Sequence, residues 1–553
     1  MTVPDEELVG LIELAGNTVL AHGLTGLTTF DGGTVLGPTA RPVVSELGTF
    51  IEGATDVVFD PATADLVGIS ESADGSTLFA ASVLGEEPGI TSTAVEGEVR
   101  SLTVACGEAH VVRSGVQTVV ARRLLADLHT PITAVSPDET LHEVEDCWVL
   151  ADGTIAVVEP DDELGRTLRV RPPNGTWEVW TDVVAWGGSA RGLLWFRDVP
   201  HVGYELVQCL AGRGVEVTHV HDYVRTIAPN DDGTFALIMF DGWSESIGVW
   251  ELTETGARQR SRIRTPGHAQ LIHHEGSAAV GAMCLSARLG VVTVGLGGHL
   301  EPLVPVVSPE SANSIDVEVE QLRLSTGATA THVSPTRAPR NGTVVFFPGG
   351  PESYSTLDLR CGAIQRLLLS EGWGLVIVNY AGSTGIGGFR NSRPWHDWQT
   401  AMETEWSDLA AIVRRSGGPV VTLGWSFGAV LALKAGPVLT AERVVAGGTV
   451  VDFADHVQRL SEEGATRAAQ WFERRFSAAD TRFLGVELVD LERNPTTQFL
   501  HGEEDPIARF SAVAALVDQA DVALDVRLTP LPGRQHDPTT LQDTQLLLAA
   551  IGS

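Results

Sequence analysis

The feature that most constrains the fold is Gly424-Trp-Ser-Phe-Gly428. It is set between an apolar run of β type, Pro419-Val-Val-Thr-Leu423, and a run of helix type, Ala429-Val-Leu-Ala-Leu-Lys-Ala435. A strand that turns directly into a helix leaves no room for side chains beside the residue at its apex. Glycine is therefore needed two residues before and two after, and the apical hydroxyl is pushed into a cleft. Ser426 is the candidate nucleophile.

A serine hydroxyl is a poor nucleophile at neutral pH, so a base and a group that orients the base should follow in the chain order Ser, Asp, His. Thr496-Thr-Gln-Phe-Leu500 reads as a strand leading into His501-Gly-Glu-Glu-Asp505, which puts Asp505 on the loop beyond the strand's carboxyl end. Leu524-Asp-Val-Arg-Leu-Thr529 reads as the next strand, and Pro532-Gly-Arg-Gln-His536 as the loop after it. The intervals of 79 residues from Ser426 to Asp505 and 31 from Asp505 to His536 suit a compact hydrolase end. In this reading Asp505 orients and His536 takes the proton.

Each member has a plainer reading on its own. A lone Asp in a loop is usually a turn or cap residue, and a lone His usually sits on the surface or in a satisfied core. Glu503 and Glu504 compete with Asp505 for the orienting role. His501 reads as structural, and neither His396 nor His456 has a comparable place at a strand end.

Acyl transfer also needs donors aimed at the developing oxyanion, one of them normally the backbone N–H after the nucleophile. That is Phe427. The second comes from a glycine-rich loop. Thr343-Val-Val-Phe-Phe347 reads as a buried strand ending in Pro348-Gly-Gly-Pro351, and Gly350 is the candidate donor there. An isolated Pro-Gly-Gly-Pro would read only as a tight turn.

Together these residues resemble the serine peptidases of the prolyl oligopeptidase family. The strings that carry the resemblance are Phe346-Phe-Pro-Gly-Gly-Pro-Glu-Ser353, Val378-Asn-Tyr-Ala-Gly-Ser-Thr-Gly385, Gly424-Trp-Ser-Phe-Gly428, His501-Gly-Glu-Glu-Asp505 and His536, in that order. The acylaminoacyl-peptidase-like branch is the most similar, through its Gly-Gly-Pro oxyanion loop. The resemblance covers residues 320 to 553. It implies an α/β-hydrolase peptidase domain over 316–553, preceded by an all-β propeller over 1–315 that gates access to a buried Ser426. It also selects Asp505 as the acid and makes Trp425 and Tyr380 candidate substrate-binding residues. Departures are equally specific. Two subfamilies supply a tyrosine hydroxyl to the oxyanion where this chain has Phe347, the arginine of the Asn-Tyr-Arg-Gly-Ser motif is Ala381, and a further motif glycine is Ala429. No Glu-Glu pair is set as in the amino-terminus clamp of the dipeptidyl branch.

The N-terminal half supports the propeller independently. Turn signals before short apolar runs fall at Gly33, Gly75, Gly107, Gly153, Gly192, Gly233 and Gly276, separated by 32 to 46 residues. Repeats near 40 residues that hold four short strands are what propeller blades require. The expected number is about seven. One expected blade holds the strands Thr234–Phe240, Gly248–Leu252 and Ala257–Arg260.

The net charge of −34 is unevenly shared. Residues 1–320 carry 17 basic and 46 acidic side chains, and 321–553 carry 20 and 25. That excess excludes nucleic acid as a general partner. It either solubilises the surface or draws in a cationic peptide or amine. The five cysteines have neither metal-ligand nor paired spacing. The opening Met-Thr-Val-Pro-Asp-Glu-Glu is not an export signal, and no run is apolar enough to span a membrane, so the cytoplasm is expected. The expected chemistry needs no metal or organic cofactor. Three activities fit: a serine peptidase acting on short peptides; an esterase, amidase or acyl-transferring cyclase acting on an acylated small molecule or modified peptide; or a weakly catalytic binding protein. Oligomeric state and side-chain preference stay open.

Overall fold

In the computed structural model, side chains are described for most of residues 148–264 and 317–552, with 161–165, 230–233, 337–340, 358–363, 386–396, 463–468 and 537–543 outside that set. Elsewhere the description covers the backbone of the strands alone. The sheets follow one another along the chain: β1–β4 (residues 8–35), β5–β8 (54–95), β9–β12 (98–134), β13–β19 (146–220), β20–β23 (223–264), β24–β27 (269–305) and β28–β35 (317–531).

The first six sheets are antiparallel meanders, each strand paired with the next in sequence. Five have four strands, and β13–β19 has seven. The larger sheet turns about β16 (Glu178–Ser189), whose first half pairs with β15 (Arg166–Arg171) and second half with β17 (Gly192–Val199). Val183 pairs with both strands, and Asp182 beside it has a φ of 64°, a conformation uncommon outside glycine. Sheets also touch in sequence: β1 on β5, β5 on β9, β9 on β13, β16 on β20, β20 on β24, and β24 back on β1. The glycines that suggested a period fall, by sequence position, between or at the start of consecutive strands, one for each run of about four.

The last sheet has the order β28-β29-β31-β30-β32-β33-β34-β35, parallel from β31 onward. Its central strands are apolar on both faces, as a sheet covered on two sides demands. The period of two sorts them. Val345, Phe347, Val376 and Val378 enter one core, and Val344, Leu375, Ile377 and Leu423 the other. On the first face lie α2 (Trp398–Ser416), α3 (Phe427–Leu439) and α8 (Phe510–Gln519); on the second lie α1 (Ile364–Ser370) and α9 (Leu541–Gly552). Between β33 and β34 the chain forms α4 (Phe453–Glu462), α5 (Thr466–Arg475), α6 (Ala478–Leu484) and α7 (Leu488–Glu492). No described helix is long and apolar enough to cross a membrane. The first strand of this sheet, β28 (Val317–Arg323), has mostly exposed side chains because it lies at the sheet's edge.

One carboxyl interrupts the buried stripe of α2. Glu405 is 1% exposed, and its Oε1 accepts from Thr326 Oγ1 at 2.6 Å and from the Ala381 N–H at 2.9 Å. Burial pushes its carboxyl up to about 8, with the two hydrogen bonds pulling down and the Asp408 charge adding to the rise. A folded-state value above the ordinary 4.5 means that this stability is present in full below pH 4.5 and is lost as pH rises through 8. Wild type should therefore lose more stability to denaturant between about pH 5 and about pH 9 than Glu405→Gln, at about 1.4 kcal/mol for each unit of displacement. Equal losses in the two proteins would show that the carboxyl titrates normally.

Candidate active site

The parallel strands deliver their carboxyl ends to one edge of the sheet, where ligands of open α/β sheets bind. β30 (Gly342–Phe347) ends at the Pro348-Gly-Gly-Pro351 loop, β32 (Val420–Trp425) at Ser426, β34 (Thr496–Gly502) before Asp505, and β35 (Asp525–Leu531) before His536. The four segments converge although 189 residues separate Phe347 from His536.

Ser426 stands between strand and helix with φ 56° and ψ −125°. A non-glycine residue held there stores roughly 1–3 kcal/mol of strain. Its N–H donates to Gly447 O at 2.8 Å, pinning the turn to the end of β33 (Arg443–Gly447). The two motif glycines are needed for close approach. A Cβ at Gly424 would clash with Gly428 O, and one at Gly428 with the carbonyl oxygens of Phe347 and Pro348. Phe427 opens α3, where the first N–H groups have no intrahelical acceptor; its ring is buried against Tyr380, Trp398 and Phe453.

His536 Nδ1 lies 2.8 Å from Asp505 Oδ2. The Asp505 side chain is 0% exposed, and its other oxygen accepts the N–H groups of Ile507 and Ala508, both at 2.8 Å. Burial alone would raise this carboxyl. The hydrogen bond from His536 and the donors of residues 507 and 508 outweigh it and hold the group below the usual carboxylate range. Charged Asp505 accepts from Nδ1–H and leaves Nε2 as the basic nitrogen. No hydrogen bond joins Ser426 Oγ to the imidazole in this structure; such contacts are often long without substrate.

The competing residues are placed differently. Glu503 and Glu504 are exposed, and only their backbone N–H groups bond nearby, to Leu531 O and Arg534 O. His501 is fully buried; its Nε2 donates to Ala508 O at 2.8 Å, and burial leads the causes that lower its basicity. His456 is also buried and made less basic, first by burial and then by Arg459, and it packs on Phe453 and Phe472. His396 lies outside the described residues. Among the described residues no three His, Cys, Asp or Glu side chains converge as metal ligands.

The glycine loop runs beside the serine. A Cβ at Gly349 would lie 3.5 Å from Ser426 Cβ, and Gly350 follows, exposed, with a φ of 140°. Gly349 O accepts hydrogen bonds from Tyr380 Oη at 3.0 Å and from Ser353 Oγ. Tyr380 is 0% exposed, so its hydroxyl reaches the loop from beneath. Trp425 Nε1 donates to His536 O at 2.7 Å, and its ring covers Gly447 and Gly448. Phe347 is buried and Ala381 lies in the core with its N–H on Glu405. These supporting contacts join residues far apart in sequence, and the motif spacing carried no sign of them.

Residues 344–550 match the model of the Alpha/beta hydrolase family. Over nearly its whole length the chain is similar in fold to a Mycobacterium tuberculosis puromycin-hydrolyzing peptidase, with a TM-score of 0.69 at 16% identity over 99% of this chain and 94% of that one. A Pyrococcus horikoshii acylaminoacyl peptidase gives a TM-score of 0.66 at 11% identity over 98% and 95%. A prolyl endopeptidase gives 0.63 at 13% identity over 99% and 88%. The resemblance carried by the motifs therefore extends to the fold of the chain. No curated protein matches the sequence.

Gly428→Ala tests the close approach at the turn. The new methyl group meets two backbone carbonyls that cannot swing aside, so the variant should lose about 3 kcal/mol of stability, the upper part of the range for overpacking. Urea unfolding followed by tryptophan fluorescence measures it. A loss below about 0.5 kcal/mol would mean that the turn relaxes freely.

Proposed function

Residues 344–550 match the α/β-hydrolase family, and from that match we propose that the protein is a serine peptidase of short peptides, with Ser426, His536 and Asp505 as its triad. The observation that carries this reading is the 2.8 Å bond between His536 Nδ1 and a fully buried, ionised Asp505, in a site that also holds a serine at a strained strand-to-helix turn. Ser426 Oγ attacks the peptide carbonyl carbon as His536 Nε2 takes its proton. The resulting oxyanion accepts the N–H groups of Phe427 and Gly350. Collapse of the adduct breaks the C–N bond, and His536 returns the proton to the leaving amine. Water then repeats the sequence on the acyl-enzyme.

Trp425 and Tyr380 take supporting roles in this reading. Each spends its donor on a backbone carbonyl, of His536 and Gly349 respectively, so they hold the base and the oxyanion loop in place. We read the six sheets before residue 317 as a propeller of seven four-stranded blades, with β16 closing one blade and opening the next. What supports it is the ring of contacts that starts at β1 and returns from β24 to β1. The acidic excess of residues 1–320 would then surround the approach to Ser426 and favour cationic substrates.

Phe347 and Ala381 keep a second reading open. Neither side chain can donate a hydrogen bond, so less of the cleft is committed to peptide recognition than the motifs alone suggest. An esterase, amidase or acyl-transferring cyclase would use the same triad.

A fluorophosphonate should label the protein, and Ser426→Ala should abolish labelling. Asp505→Asn should lower kcat about ten-thousandfold, since the imidazole is then held in the wrong tautomer. Mass spectrometry of short peptides with free and acetylated amino termini decides the substrate class. Serine-dependent cleavage supports the peptidase; turnover of an activated ester with every peptide intact replaces it with the second reading.

A further inference from the structure

The loop that carries Gly350 is held from the other half of the chain. Glu245, at the start of β22 (Glu245–Thr253), is 0% exposed and receives two hydrogen bonds from Arg225, at 2.9 and 3.3 Å. The same carboxylate accepts the Tyr354 hydroxyl at 2.7 Å. Tyr354 lies four residues beyond Gly350. Its ring stacks on Phe240, the last residue of β21 (Thr234–Phe240), with centroids 3.9 Å apart.

The turn between those strands makes a second attachment. Gly242 O accepts from Thr329 Oγ1 and from Asn379 Nδ2, and the same Asn379 side chain accepts the Ser355 N–H at 2.7 Å and donates to Ser355 O at 3.0 Å. Trp243 Nε1 donates to Leu322 O at 3.0 Å. Residues 354 and 355 are thus gripped through the β21–β22 hairpin, while Ser353 and Tyr380 hold Gly349 from within the hydrolase half.

We propose that Tyr354 and Glu245 are positioning residues, through which docking of the β21–β22 hairpin sets the oxyanion loop beside Ser426. This rests on the reading of Gly350 as an oxyanion donor. A buried carboxylate that is charged and satisfied by Arg225 fixes its acceptor oxygen in space, so a hydroxyl bound to it has one address. Transition-state stabilisation depends on donors placed to within a fraction of an ångström, so releasing the loop should cost rate more than affinity.

The test uses full-length wild type, Ser426→Ala, Tyr354→Phe, Glu245→Gln and the double variant. Tyr354→Phe keeps the ring stack and removes only the hydroxyl. The readouts are the rate of inactivation by a fluorophosphonate, kcat and KM on the best substrate, and the unfolding midpoint. Tyr354→Phe should lower kcat and the inactivation rate about tenfold with KM within about twofold. The double variant should be no slower than the slower single variant, because both substitutions act on the one Tyr354–Glu245 contact. Wild-type rates in Tyr354→Phe, or a loss matched by the unfolded fraction, would overturn the proposal while leaving the triad standing. A wild type that no fluorophosphonate labels at Ser426 would remove the triad reading and this proposal with it.

Discussion

The close crossing of backbone at the strand-to-helix turn is the constraint on which the site depends. Gly428 lies against the carbonyls of Phe347 and Pro348, and Gly424 against the carbonyl of Gly428. Because β30 and β32 are direct neighbours, this contact puts the end of one strand beside the apex of the next. The loop after Phe347 is thereby brought to Ser426 without any side chain reaching across. The strain at Ser426, roughly 1–3 kcal/mol, is small against what holds the turn. Phe427, Val430, Leu431, Leu433 and Leu439 of α3 are all buried, and each contributes about 1.5–3 kcal/mol.

The acid side of the site follows a different logic, in which desolvation is met by hydrogen bonds. A carboxylate removed from water is costly unless its lone pairs are used. Asp505 has His536 on one oxygen and two backbone N–H groups on the other, so it stays ionised where Glu405, with both bonds on a single oxygen, does not. The two buried acids thus end on opposite sides of neutrality: burial dominates at the more deeply desolvated Glu405, whereas donors outweigh burial at Asp505. His501 completes the contrast: beside the same carboxylate, its Nε2–H donates to the Ala508 carbonyl, and burial lowers its basicity.

Much of the hydrolase half was legible in the sequence because its signals are local. The strand, turn and helix around Ser426 lie within 20 residues, and the loops carrying Asp505 and His536 each follow an apolar run. In the N-terminal half the chosen glycines fall, by sequence position, about once for each run of four strands, since hairpin turns call for glycine at regular intervals. What escaped was the sharing of β16 between two runs of strands. Asp182 gives no composition signal for the bend it makes, and the even glycine spacing suggested separate sheets. The contacts of Tyr380 and Trp425 escaped as well, because an aromatic residue next to a motif carries no sign of its long-range acceptor, Gly349 O or His536 O.

The two halves of the candidate chemistry are anchored unequally. Ser426, Asp505 and His536 take their positions from β32, β34 and β35, whose parallel pairing runs through β33 without help from outside the sheet. The loop from Gly349 to Ser355 lies beyond the last paired residue of β30, and a free loop there would sample many conformations. Its bonds to Tyr380 and Asn379 belong to the hydrolase half, whereas those of Tyr354 belong to Glu245 and Phe240. The candidate nucleophile and base thus lie on one sheet, whereas the loop carrying Gly350 is also held by Glu245 and Phe240. On the proposed reading of Gly350, transition-state stabilisation depends on the contacts that Tyr354 makes with Glu245 and Phe240 as well as on the sheet.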